Sequence, residues 1–161
     1  MGLAATVDRA ARIVDSFGGQ HRQRLSVLCD GIQAAQRDLV RHARSLFDEC
    51  TGRCQGMCCR NIQIDEIITR LDFLYILTAD PQVRAPVAML SRQQNLFSAD
   101  CIFLRNGSGP CLFKSDIKPE MCIATFCGDV QPIRMHLKRL RAEFGRLHRF
   151  VMRQRPLMWF G

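Results

Sequence analysis

Apolar residues recur at helical spacing through most of this chain. Leu3, Val7, Ala10, Val14 and Phe17 step by four and three, which predicts an amphipathic helix over 3–17 ended by Gly18-Gly19. A second helix is predicted over about 22–49, with Leu25, Leu28, Ile32, Ala35, Leu39, His42 and Leu46 as its seam and Gly31 as an interruption. Asp65 is expected to start a third, with Ile64, Ile67, Ile68, Leu71, Leu74 and Tyr75 on its apolar face. Asp80-Pro81 reads as a break and a new helix start running towards Phe97. The last long helix starts near Asp129 and Pro132, with the seam Ile133, Leu137, Leu140, Phe144, Leu147 and Val151, and Pro156 stops it. Leu157 to Phe160 then form an apolar tail expected to cap the bundle.

Residues 101–114 break this pattern. Two short apolar runs flank Asn106-Gly107-Ser108-Gly109-Pro110, which predicts a small β-hairpin bringing Cys101 and Cys111 together. Pro119 is suited to open a short helical turn carrying Cys122. The predicted fold is therefore mainly α: a bundle of four or five helices, with a hairpin and cysteine-rich loops at one end.

The 161 residues suit one domain, 1–161, and 47% hydrophobic content supplies a core without help from cross-links. No run of about 18 apolar residues suggests a membrane span. Asp8, Arg9 and Arg12 interrupt the stretch where a signal peptide would be apolar, so a cytoplasmic protein is expected. Met1-Gly2-Leu3-Ala4-Ala5-Thr6 matches the loose myristoylation pattern, which recurs by chance. The formal charge of +8 permits an acidic partner without pointing to nucleic acid. Arg134, Lys138, Arg141, Arg149 and Arg153 on the last helix read as a solvated face.

Nine cysteines change the picture. Cys50, Cys54, Cys58 and Cys59 fall within ten residues, and Cys101, Cys111, Cys122 and Cys127 form a second group. In a chain without a secretory signal, clustered thiols point to metal before disulfides. Soft thiolates suit zinc and iron–sulfur centres. Cys50, Cys54 and Cys58 would share one face of a regular helix, and Gly52 and Gly56 could instead open the segment into a loop. Adjacent Cys58 and Cys59 reach one centre only from irregular backbone; otherwise one serves a second centre. Eight cysteines allow two four-coordinate sites, or one with the others packed beside it. Iron–sulfur is favoured over zinc, because the cysteines outnumber what one zinc takes. Each such centre would lower the net charge by about two. Cys29, alone in the second helix, is assigned to packing. His42, His136 and His148 are not needed as ligands.

These motifs resemble the YkgJ-type zinc- or iron-chelating family, the CxxCxxCC proteins. The resemblance covers residues 50–127. It rests on the cluster ending in Cys58-Cys59, on Ile64-Asp65-Glu66-Ile67, on Cys101-Ile102-Phe103-Leu104 through Cys111-Leu112-Phe113, and on Lys118-Pro119-Glu120-Met121-Cys122. The chain departs in its first spacings, three residues rather than two, and in Lys118, where the family has Arg. Phe126 also stands one position late. The resemblance implies metal chelation. The ligands expected in this chain are Cys54, Cys58, Cys59, Cys101, Cys111 and Cys122, with Cys50 and Cys127 next. The resemblance does not imply a reaction. A similar domain occurs in flagellin lysine methylases, which keeps a methyltransferase-like, metal-dependent enzyme as the alternative. No phosphate loop, Gly-x-Ser-x-Gly or His-Glu-x-x-His is present.

Overall fold

The computed structural model describes residues 2–52, 64–93, 101–105 and 110–156, with backbone alone at 50–52, 65 and 66. Its helices are α1 (Leu3–Ser16), α2 (Gly19–His42), α3 (Arg44–Gly52), α4 (Ile64–Ile67), α5 (Arg70–Ala79), α6 (Arg84–Leu90), α7 (Glu120–Ala124) and α8 (Arg134–Gln154). The fold is mainly helical, as the periodicity predicts. None of these helices is long and apolar enough to cross a membrane.

The seams of α1 and α8 face inward as read: Val7, Ala10, Val14, Phe17, Leu137, Leu140, Phe144, Leu147 and Val151 are all buried. α2 lies along α8 and touches α5, while α1 lies along α5. Helix α5 is thus the centre of the molecule. Six successive residues, Asp72 to Leu77, are buried. A helix apolar on every side belongs inside, so the single apolar face expected here is replaced by burial all round. Tyr75 meets Phe144 of α8 edge-on at 5.5 Å, and Phe73 meets Phe103 at 6.0 Å.

Several boundaries differ from the sequence reading. The expected third helix is split at Ile68–Thr69, because Thr69 and Asp72 form a capping box that starts α5 afresh. The expected helix over 22–49 begins earlier, at Gly19, whose φ of +51° suits glycine, and is interrupted at Ala43. Ala43 takes the inward place, so His42 leaves the seam and is exposed. Gly31 has a packing reason. A Cβ there would lie 3.2 Å from Glu143 Oε2, so the glycine leaves room for the Glu143 carboxylate of α8.

The hairpin is reduced, among the described residues, to one antiparallel bridge between Leu104 and Cys111. Leu104 N donates to Cys101 O at 2.9 Å, which winds the first arm into a turn instead of extending it. The helix expected to run to about Phe97 is shorter: α6 ends at Leu90 and a turn follows at 91–92. The expected turn at 106–109 and the 157–160 tail lie outside the described residues.

Cys29 is 1% exposed, in keeping with a packing role. Burial pushes its thiol pKa from 9.0 up to about 12 and raises that of the Tyr75 phenol from 10.0 as well. In the unfolded chain both groups ionise earlier, so between those values the folded state holds the extra protons. Their contribution to stability is intact below about pH 9 and is lost as pH rises towards the folded value. Urea midpoints are expected to fall across this range, and Cys29→Ala should move the onset of the fall upward, towards the tyrosine range.

Candidate metal centre

The loop between Cys111 and Cys122 is held by buried polar groups of α2 and α5. Gln36, 0% exposed, donates from Nε2 to Lys118 O at 2.7 Å and accepts from Lys118 N at 2.9 Å. Asp72, 2% exposed, accepts from Glu120 N at 2.7 Å through one oxygen. Its other oxygen accepts from Thr69 N at 2.8 Å and Thr69 Oγ1 at 2.6 Å. Tyr75 Oη donates to Asp116 O at 3.1 Å, and Gln33 Nε2 to Asp116 Oδ2 at 2.9 Å. Lys114 pairs with the buried Asp80 at 2.7 Å. A buried polar group left without a partner costs about 1–3 kcal/mol. Gln36 and Asp72 avoid that cost by binding the backbone of this loop, and so fix its path. Burial raises the Asp72 carboxyl pKa, with the hydrogen bonds from Thr69 and Glu120 acting against it. Glu120 is raised too, first by burial and then by the Asp72 charge.

The cysteines ride on this frame. In Cys101-x-Phe103 and Cys111-x-Phe113 the aromatic ring enters the core and the cysteine two places earlier stays half-buried. The two rings touch at 4.8 Å, which anchors both arms. Cys122 lies exposed on α7, the helix turn expected after Pro119. Cys127 is also exposed. Its neighbours dock on α3. Phe126 meets Phe47 edge-to-face at 5.1 Å, and a Cβ on Gly128 would come within 2.8 Å of Leu46 Cδ2. A side chain there would force Leu46 to shift. Cys50 follows about one turn later in the same helix. Cys54, Cys58 and Cys59 lie outside the described residues.

No disulfide joins two of the described cysteines. Nor do the described cysteines alone bring three ligand atoms within 4.8 Å of one another; the one such group among the described residues is Asp38, His42 and His136. Sequence reasoning set these histidines aside, and α2 and α8 bring them together. Their rings stack at 4.0 Å, His42 Nδ1 lies 2.8 Å from Asp38 O and His136 Nδ1 3.4 Å from Asp38 Oδ2. Arg139 at 3.1 Å and Arg41 at 3.7 Å already balance the Asp38 charge. The group acts as a polar clasp between helices.

Gln36 and Asp72 were missed as functional positions. Asp72 left a signal, the Thr69-x-x-Asp72 box. Gln36 left a weaker one, a polar residue four after Ile32 and three before Leu39 in an apolar seam. Comparison with known proteins returns no matching family model, no matching curated protein and no matching solved structure.

Proposed function

We propose that this chain is a non-enzymatic metal-binding protein. Its thiolates hold an iron–sulfur cluster, or zinc, through Cys54, Cys58, Cys59, Cys101, Cys111 and Cys122, with Cys50 and Cys127 beside them. The observation that carries this reading is the docking of Phe126 and Gly128 on α3, which sets the flanks of Cys127 against the helix leading into the first cysteine group. The resemblance of residues 50–127 to the YkgJ-type chelating proteins adds to it. So does the donor set, since clustered thiolates fit both groups. A bound cluster would supply one-electron redox chemistry and zinc a rigid staple, and the role is redox or metal sensing or stapling of the loops to the helices.

Single Cys→Ser variants test the ligand set. Cys111→Ser and Cys122→Ser are expected to lose most of their bound metal, while Cys29→Ala keeps it. Equal metal in all three, or an equal loss in Cys29→Ala, would contradict the assignment. The alternative, a methyltransferase-like modifying enzyme, requires a cofactor site beside the cysteines. Saturable binding of S-adenosylmethionine that disappears with the metal would favour it.

A further inference from the structure

A second site lies away from the cysteines, between the first turns of α2 and the last turns of α8. Arg24, Leu28, Arg146, Arg149, Phe150, Arg153 and Gln154 line a cleft of about 300 Å³ that is open to solvent. Four guanidinium groups border it. Arg146 is paired with Glu143 at 2.6 Å. Arg24, Arg149 and Arg153 have no ion-pair partner among the described residues. Arg149 and Arg153 stand four apart on one helix, a spacing at which like charges destabilise it. The wall is apolar, with Leu28 buried and Phe150 stacked on Phe17 at 5.3 Å. Charge of one sign over a low-dielectric wall concentrates the field on an anion entering the cleft.

We propose that this cleft binds a small oligophosphate, a compound with two or more linked phosphate groups. The planar guanidinium fork matches phosphate oxygens two at a time. From Arg146 to Arg153 the helix rises about 10 Å, so its arginines address a chain of phosphates better than a single one. The volume stands at the lower end for small-molecule sites, which suits a compact ligand.

Isothermal titration calorimetry of the full chain with inorganic tripolyphosphate at low salt tests this. One saturable site per chain is expected. Arg149→Ala and Arg153→Ala should each weaken it about tenfold, the size of one charge-assisted hydrogen bond. Arg92→Ala, in the turn after α6 and paired with Asp8, should leave it unchanged. The melting temperature of the two cleft variants without ligand should hold or rise, because a like-charge contact is removed; this separates lost binding from lost folding. The proposal is overturned if tripolyphosphate gives no saturable heat, or if sulfate at matched ionic strength reproduces it. It is equally overturned if Arg92→Ala weakens binding as much as the cleft variants.

Discussion

Asp72→Ala is expected to cost about 3 kcal/mol or more in denaturant unfolding and to release the turn that carries Cys122. The carboxylate is buried and accepts three hydrogen bonds, two from Thr69 and one from Glu120 N. Alanine ends the capping box of α5 and leaves the Glu120 N–H, at the first residue of α7, without an acceptor. Against a typical total of about 5–15 kcal/mol, that is a large share. Asp72→Asn should cost less, since its carbonyl oxygen can still accept from Glu120 N. Its amide group would then meet the Thr69 N–H donor to donor, so the rescue is partial. Metal content should follow the same order as stability, with Asp72 highest and Ala lowest. A loss under about 1 kcal/mol for Asp72→Ala would mean that the loop is held by other contacts.

Gln36→Leu should cost a comparable amount, about 2–4 kcal/mol, through two orphaned groups on Lys118. Leucine has nearly the volume of glutamine, so the effect is not that of a cavity. Gln36→Glu keeps the acceptor for Lys118 N but sets a carboxylate oxygen against Lys118 O, and rescues little. Gln33→Leu is the comparison, because Gln33 bonds the half-buried side chain of Asp116, and its loss should be smaller. Gln36 and Asp72 act on positions two apart in one loop. Once either is gone the loop is loosened, so the double variant should cost less than the two singles together. Full additivity would show that the two clamps hold the loop independently.

The helices that cover one face were readable from the chain. α1, α2 and α8 each bury a single stripe, and a stripe leaves a period of three and four in the sequence. Helix α5 was readable as a helix but not as the centre, because burial on all sides erases the stripe. Its start lay in Thr69 and Asp72, a local signal that the longer apolar pattern from Ile64 to Tyr75 masked. The interruption at Ala43 has no comparable mark, since alanine suits a helix interior. Pro119 did mark the turn before Cys122, and Asp129 and Pro132 the entry to α8. Gln36 and Asp72 left local signals, but their partners on the cysteine loop were not readable. Gln36 and Lys118 lie 82 positions apart, and Asp72 and Glu120 lie 48 apart. Such pairs are set by how the bundle packs, and no local spacing records them. The docking of Gly128 on Leu46 is of the same kind.

The most direct test of the central claim is elemental analysis with an absorption spectrum on protein purified without oxygen. The account predicts near-stoichiometric iron and sulfide with broad visible absorbance around 400 nm, or stoichiometric zinc without colour. Protein holding neither metal, with its thiols oxidised in pairs, would contradict it.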